Sequence, residues 1–239
     1  MDNIKQDALK ALEAVTFYPQ ICAREIPGFV GLRLPTVPLA RNRLESFIRS
    51  RSEWCISRQR VWGVPIPALH HTPTDGAYLD SRILDHILAV LDKKGVAYWW
   101  EGPIDEFLPP FLLEVDADVS NWRKGTDTMD VWFDSGSSWS LLPGRGNPQP
   151  RADICLEGSD QHRGWFQSQL LTAVGTAKAD KPSAPYETLL THGMVLDANG
   201  KKMSKSLGNV MSPMTIVKGG AVSGHYLLAF APVVKVVLG

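Results

Sequence analysis

The run from Asp197 to Asn209 places three lysines and two serine hydroxyls beside glycines (Asp-Ala-Asn-Gly-Lys-Lys-Met-Ser-Lys-Ser-Leu-Gly-Asn). Ammonium groups supply positive charge, and a flexible backbone can turn its N–H groups toward oxyanions, so loops of this kind suit phosphate binding. An ordinary exposed basic loop has the same composition. From this run alone, both interpretations stay open.

The run from Cys155 to Phe166 (Cys-Leu-Glu-Gly-Ser-Asp-Gln-His-Arg-Gly-Trp-Phe) joins a predicted buried strand to a predicted helix. In open α/β sheets such junctions bind ligands, and the N-terminus of a helix favours anions. Gly158 allows close approach of the backbone, Asp160 can accept hydrogen bonds from ribose hydroxyls, and Glu157 can receive an ammonium group. N-capping by Ser159 or Asp160 is the alternative, but it accounts for only one of these polar side chains.

Two further runs combine apolar residues with arginine or with aromatic side chains. In the run 54–67, Arg58 and Arg60 alternate with apolar residues, so on a strand both would face one side and could meet phosphate or RNA. In the run 128–139, Trp132 and Phe133 could line an apolar pocket. The alternatives are surface arginines on a half-buried strand and plain core aromatics.

Composition restricts the class of protein. The chain has 239 residues, 44% of them hydrophobic and 21% charged, with 25 basic and 25 acidic side chains. A packed core is expected, and binding of nucleic acid through bulk charge alone is not. No apolar run is long enough for a membrane span, and the first residues are acidic rather than signal-like. The three cysteines (Cys22, Cys55 and Cys155) are far apart, which predicts free or buried thiols and no zinc or other metal site.

Hydrophobic periodicity predicts the elements that position these runs. Helices are predicted from Asn3 to about Val15, over 41–51, from Asp80 or Ser81 to Lys94 with Gly95 after it, and over 163–176. Strands are predicted over 54–56, 128–133, 153–156 and 186–191. Residues 20–40 are rich in proline and glycine and are predicted to be an irregular connection. The strand–helix–strand order from 153 to 196 predicts a parallel α/β unit.

Together and in this order, the four runs resemble the isoleucyl-tRNA synthetases, a family of class I aminoacyl-tRNA synthetases, in their bacterial and mitochondrial type. Within the basic run, residues 202–206 (Lys-Met-Ser-Lys-Ser) match a signature of that class. The match extends from about Arg51 to Pro213, and residues 2–15 are similar to the helical stretch that follows the editing domain. The resemblance implies an α/β fold: a partial Rossmann-like nucleotide-binding domain with a connective insertion at about 72–125.

The resemblance also implies a division of the chain and a set of site residues. Residues 1–50 would be an N-terminal helical remnant and irregular linker, 51–217 part of the catalytic domain, and 218–239 an atypical tail. The catalytic residues would be Lys202 and Lys205, which would stabilise the triphosphate. ATP and the adenylate would contact Glu157, Gly158, Asp160, Gln161, His192, Gly193 and Lys205. The pocket for the amino acid would be formed by Trp132, Trp165 and Gln161.

The implied activity is isoleucine–tRNA ligation. ATP, bound with Mg²⁺, would activate isoleucine as isoleucyl-adenylate, and the isoleucyl group would then pass to tRNA(Ile). The family resemblance implies a monomer without membrane contact, in a mitochondrial matrix or a cytoplasm. The sequence lacks the other class signature, His-x-Gly-His, and a counterpart of the editing domain. The alternative expectation is therefore a truncated, inactive fragment that retains part of the surface that binds ATP and tRNA.

Overall fold

The computed structural model describes residues 2–18, 39–142, 151–177, 182–193, 197, 199–212 and 214. The chain divides into two compact units, Met1–Glu53 with Ser135–Gly239 and Trp54–Asp134. The predicted irregular connection at 20–40 lies almost entirely outside the described residues, and the predicted tail at 218–239 lies wholly outside them. The division into family domains that the sequence suggests stays a prediction.

The α-helices of the described residues are α1 (Asp2–Ala11), α2 (Leu39–Ser50), α3 (Ser81–Lys94), α4 (Tyr98–Glu101), α5 (Pro110–Leu113), α6 (Val131–Gly136) and α7 (Trp165–Thr176). The strands are β1 (Thr16–Tyr18), β2 (Ser57–Arg58), β3 (Leu69–His71), β4 (Gly76–Tyr78), β5 (Trp122–Lys124), β6 (Thr128–Met129), β7 (Ala152–Gly158) and β8 (Tyr186–His192). Short 3-10 turns include Leu12–Ala14, Ser137–Leu141, Ser159–Arg163 and Lys205–Leu207. None of the helices within these described ranges is long and apolar enough to cross a membrane.

The first unit is built on a parallel sheet of three strands with β8 between β1 and β7. The helix α7 connects β7 to β8 along the chain and is buried from Phe166 to Val174, and α1 and α2 pack against it. The Tyr186 hydroxyl, at the start of β8, donates to the Phe166 carbonyl at 3.1 Å, so a hydrogen bond connects the sheet to this helix. The predicted parallel strand–helix–strand unit is confirmed.

Long-range polar contacts hold further segments of the first unit against α7. Arg51 Nη1, just after α2, donates to the Gln167 side-chain oxygen at 2.8 Å. Thr172 Oγ1 donates to the Gly136 carbonyl at 2.7 Å. A Cβ on Gly136 would lie 2.9 Å from backbone atoms of Ser168, so only glycine allows this close approach.

The second unit packs α3 and shorter helices around an antiparallel sheet in the order β4-β3-β5. Its apolar core consists of Leu69, Ile83, Ile87, Trp99, Phe107, Leu108, Leu112 and Trp122. The Asp80 carboxylate caps α3 by accepting from the Ile83 amide at 3.0 Å, and Gly95 ends the helix at φ 85°. These caps confirm the predicted helix, because a carboxylate satisfies a free amide and glycine adopts positive φ without strain.

The second unit also holds a two-stranded antiparallel pair, β2 with β6, where two predictions were wrong. The strand predicted over 54–56 lies slightly later, at Ser57–Arg58. The strand predicted over 128–133 ends at Met129, because Asp130 begins a helix there. The Asp130 carboxylate accepts from the Trp132 amide at 3.2 Å, and its carbonyl accepts from the Phe133 amide at 2.7 Å.

Two predicted helix starts were also displaced. The first helix begins at Asp2 rather than being capped by Asn3, and it ends at Ala11 before a 3-10 turn. The helix predicted from Arg163 begins at Trp165, because residues 159–163 form a tighter 3-10 turn after β7.

Candidate functional site

The carboxyl ends of β7 and β8 bring predicted ATP-binding residues together at one edge of the sheet. The parallel register pairs Glu157 with Thr191 and Gly158 with His192, and Gly193 follows directly after β8. The carboxylate of Glu157 is exposed, and within the described residues it makes no hydrogen bond or ion pair. It is therefore free to accept from an ammonium or hydroxyl group of a ligand at this edge.

Hydrogen bonds and burial fix the backbone at this edge of the sheet. Gly158 is buried at the last position of β7, and the ring Nδ1 of His192 lies 2.8 Å from the Gly193 carbonyl oxygen. Thr191 also contacts β1, the other neighbour of β8, because its hydroxyl donates to the Tyr18 carbonyl at 3.2 Å. The sheet thus fixes the two strand ends relative to each other, which is the requirement for a site that binds by positioning.

Asp160 and Gln161 lie in the 3-10 turn between β7 and α7. The Gln161 side-chain oxygen accepts from the Trp165 amide at 3.0 Å and so caps α7. The alternative prediction, that Ser159 or Asp160 caps this helix, was wrong. The Asp160 carboxylate is exposed and lies 3.4 Å from the Gln161 amide nitrogen, so its remaining acceptor positions face solvent.

His162, in the same turn, is a buried residue that sequence reasoning did not single out. Its side chain is 1% exposed, and its Nδ1 lies 2.6 Å from the Ser159 carbonyl oxygen. Burial lowers the pKa of His162, so the ring is neutral at pH 7 and donates from Nδ1 to that carbonyl. The ring holds the turn and packs edge-on against Phe166.

The two tryptophans predicted for the amino-acid pocket lie in different units. Trp165 begins α7 in the first unit, is half-buried, and donates from Nε1 to the Ser135 carbonyl at 2.9 Å. Trp132 lies in the second unit near the start of α6 and is 45% exposed. The indole of Trp165 is fixed by this contact within its own unit, and the predicted pocket role of each tryptophan stays a prediction.

Trp132 lines a cavity of about 930 Å³ in the second unit, whose other walls include Arg58, Arg60, Trp62, Trp100 and Asp130. The Arg58 guanidinium pairs with the buried Asp130 carboxylate at 2.6 Å, and Trp54 Nε1 donates to the same oxygen at 2.9 Å. The predicted alternation of both arginines on one strand was wrong, because β2 ends at Arg58. Both arginines nevertheless face this cavity.

The lysine loop, residues 197–209, follows β8 along the chain. Ser204 Oγ accepts from the Leu207 amide at 3.3 Å and begins a 3-10 turn that Gly208 ends at φ 66°. Lys202 and Lys205 are exposed, and their ammonium groups make no hydrogen bond or ion pair with any described residue. Both of these cations are therefore presented to solvent, as a phosphate-binding loop requires.

Sequence reasoning missed the two residues that close the lysine loop. Asn209 Nδ2 donates to Asp197 Oδ2 at 2.8 Å, which joins the two ends of the loop. The signal was present in the sequence, since Asp and Asn flanking a glycine-containing run commonly bond to nearby backbone amides. The hydrogen bond between Asn209 and Asp197 across the loop could not be predicted from the sequence.

Comparisons with known proteins identify relatives of this chain. The isoleucine–tRNA ligase of Parasynechococcus marenigrum (strain WH8102) is 45% identical over 221 residues, which is 92% of this chain and 20% of that protein. The isoleucine–tRNA ligase of Synechococcus sp. (strain CC9311) is 53% identical over 181 residues, 75% of this chain and 18% of that protein. The chain therefore spans about a fifth of the length of the curated relatives that it matches.

One similar solved structure is a ternary complex of Agrobacterium radiobacter K84 agnB2 LeuRS, tRNA and LeuAMS, with a TM-score of 0.45 and 24% identity over 70% of this chain and 23% of that chain. The family model of class I tRNA synthetases (I, L, M and V) matches residues 34–236. Because that match covers most of its length, the chain belongs to the class I tRNA synthetase family.

Proposed function

We propose that this chain carries part of the adenylate-forming site of an isoleucine–tRNA ligase. In that reaction the carboxylate of isoleucine attacks the α-phosphorus of ATP, pyrophosphate leaves, and the isoleucyl group then passes to a ribose hydroxyl of tRNA(Ile). The observation that carries the proposal is the register of β7 and β8, which sets Glu157 beside Thr191 and Gly158 beside His192. The lysine loop follows these strand ends in the chain.

The chemistry needs no nucleophile from the protein, because the amino acid supplies its own carboxylate. Catalysis then depends on holding two substrates in line and on stabilising the charge that develops on the phosphates. Glu157 and Asp160 offer exposed carboxylates to the isoleucine ammonium group and to ribose hydroxyls. Gly158 has no side chain to keep the adenosine from the backbone at the end of β7. These groups supply the positioning.

Lys202 and Lys205 supply the charge in this proposal. ATP arrives as its Mg²⁺ complex, and the exposed ammonium groups bind the oxygens of its phosphates. A cation that binds the transition state more tightly than the ground state raises the rate. The absence of competing contacts within the described residues leaves both lysines free for this task.

Selection of the amino acid is proposed to rest on Trp165. The indole of Trp165 is fixed by its hydrogen bond to the Ser135 carbonyl, so its ring is a rigid apolar wall. An apolar pocket separates isoleucine from valine by only about 1–3 kcal/mol, since the two differ by one methylene.

We propose a mitochondrial matrix or a cytoplasm as the location of the protein.

Isoleucine-dependent exchange of pyrophosphate into ATP by the 239-residue chain tests the proposal. Lys205→Ala is expected to lower the exchange rate about 100-fold or more, because removal of one transition-state contact typically has that effect. Lys201→Ala is the matched control: it removes the same charge from the same loop at a position outside the predicted set. Equal loss in both variants would show that only bulk charge matters.

A second candidate is nucleotide binding without turnover, since the exposed ammonium groups of Lys202 and Lys205 could hold phosphates without a reaction. Equilibrium dialysis with ATP on the same variants separates the candidates. Binding that Lys205→Ala weakens, with no exchange in the unmodified chain, would support the second candidate. Isoleucine-dependent exchange would exclude it.

A further inference from the structure

The lysine loop is closed at its base by side-chain contacts between its first and last residues. Asn209 Nδ2 donates to Asp197 Oδ2 at 2.8 Å, and Asn209 Oδ1 accepts from the Ser204 amide at 2.9 Å. Asp197 Oδ1 accepts from the amides of Asn199 and Lys201, both at 2.9 Å. We call the pair of Asp197 and Asn209 the clasp.

The clasp fixes the backbone on both sides of the two predicted catalytic lysines. The Lys202 carbonyl accepts from Asn209 Nδ2 at 3.3 Å, so one amide group holds Asp197 and the backbone of that lysine. The Ser204 amide is held by Asn209, and Ser204 in turn begins the 3-10 turn that contains Lys205. Both lysines therefore extend from one hydrogen-bonded framework.

The polarity of the clasp is set by the ionisation of Asp197. Hydrogen bonds from Asn209 first, and then from the Lys201 amide, lower the pKa of Asp197. The carboxylate is therefore charged at neutral pH and can only accept hydrogen bonds. The donor must come from position 209, and the asparagine amide supplies it.

We propose that Asp197 and Asn209 are positioning residues for Lys202 and Lys205. The inference rests on the proposed function, since it takes the lysines to act on the phosphates of ATP; the clasp itself is independent of ATP. Glycines at positive φ (Gly200 at 74° and Gly208 at 66°) let the loop turn sharply. Without the clasp the two cations would sample many arrangements, and ordering them at the moment of reaction would cost conformational entropy.

A reversal of the clasp's polarity tests this inference in the 239-residue chain. Asp197→Asn leaves one acceptor oxygen where two are used, so an amide donor faces either Asn209 Nδ2 or the amides of Asn199 and Lys201. Asn209→Asp places two carboxylates face to face. The double variant, Asp197→Asn with Asn209→Asp, restores one donor opposite one acceptor between the two positions, but not the hydrogen bond to the Lys202 carbonyl. Asn199→Asp is the matched control, because it adds the same charge to the loop at an exposed side chain that makes no described contact with the clasp.

Solvent exchange of the loop amides, measured by NMR without ATP, is the first measurement. The amides of Lys201 and Ser204 should exchange about tenfold faster in each single variant, because a charge-assisted hydrogen bond contributes roughly that factor. In the double variant they should return to within about threefold of the unmodified chain. Unchanged exchange in both single variants, or no recovery in the double variant, overturns the inference.

Pyrophosphate–ATP exchange is the second measurement. Each single variant should lower kcat about tenfold or more and change KM for ATP less than about threefold, because ammonium groups in a disordered loop still attract ATP. The double variant should recover part of kcat, because the pairing of positions 197 and 209 is restored and the hydrogen bond to the Lys202 carbonyl is not. An equal rise in KM with unchanged kcat would contradict a positioning role. A lack of exchange by the unmodified chain would count against the proposed function alone, since the amide measurement still decides on the clasp.

Discussion

Gly136, in the Asp-Ser-Gly-Ser run at 134–137, lies directly against the backbone of α7. A Cβ at this position would be 2.9 Å from the Ser168 carbonyl carbon and Cβ, and 3.0 Å from the Ser168 carbonyl oxygen. Contacts this short do not occur at real Cβ atoms, and helix backbone cannot move aside as the tip of a side chain can. The substitution Gly136→Ala is therefore expected to push residues 135–139 away from α7.

The expected cost has two parts. Overpacking of a well-packed site costs about 1–3 kcal/mol. Displacement also strains the hydrogen bonds from Thr172 to the Gly136 carbonyl at 2.7 Å and from Trp165 to the Ser135 carbonyl at 2.9 Å, and each is worth about 0.5–1.5 kcal/mol. We therefore expect the free energy of unfolding to fall by about 2–4 kcal/mol.

Urea unfolding followed by circular dichroism measures this difference, with Gly175→Ala as the control. Gly175 lies in α7, where a Cβ would meet only Ile4 Cδ1 at 3.9 Å, an ordinary contact. Gly175 is in the last turn of α7, where its backbone is helical and alanine is not disfavoured, so this variant should be at least as stable as the unmodified chain. If Gly136→Ala proved as stable as Gly175→Ala, the close approach would not exist.

Two further predictions concern titration and thiol reactivity. The pKa of Asp116 is lowered to about 2, chiefly by its hydrogen bond with His71, so its stabilising effect is present above its ordinary pKa of 3.8 and is lost as the pH falls toward 2. Asp116→Asn should lower the urea midpoint near neutral pH, with the difference shrinking from about pH 5 to about pH 2; a constant difference would contradict this. Burial raises the pKa of Cys155 to about 11, so iodoacetamide at mildly alkaline pH should modify the exposed Cys55 and spare Cys155. Peptide mass spectrometry measures both thiols, and equal labelling would contradict the burial.

Elements whose ends depend on neighbouring residues could be predicted from the sequence. The helix α3 is one example, because Asp80 and Gly95 act within one turn of its ends. The strands β7 and β8 are another, because each lies close to its predicted position on either side of a helix. The predicted burial of the strand over 153–156 was wrong, since Ile154 and Leu156 are exposed and only Cys155 among these four residues is buried. Glycines and polar residues after such strands then indicate a ligand site at the carboxyl edge.

Predictions failed where a single contact outweighed the intrinsic preference of a segment. The run Val131–Trp132–Phe133 is β-branched and aromatic, which favours a strand. The Asp130 carboxylate accepts from the Trp132 amide and starts a helix instead. That carboxylate is itself held by Arg58, distant in the chain, and this pairing is not visible in a local pattern.

In the candidate site, too, some features could be predicted from the local sequence and others depend on tertiary contacts. The chemistry of its members could be inferred from residue type and spacing, as with Glu157 at the end of β7 and Lys205 in a glycine-flanked loop. Closure of that loop by Asn209 and the fit of Gly136 against α7 depend on atoms that meet only in the folded chain. Such contacts are set by tertiary packing, so no local sequence rule specifies them.

A crystal structure of the 239-residue chain with a non-hydrolysable analogue of isoleucyl-adenylate tests the central claim most directly, because it requires no turnover. The account predicts the adenosine at the carboxyl ends of β7 and β8, in contact with Gly158 and His192. The analogue's ammonium or ribose hydroxyl groups should lie within hydrogen-bonding distance of Glu157. Binding elsewhere, for example in the cavity beside Trp62 with no contact to the strand ends, would contradict it.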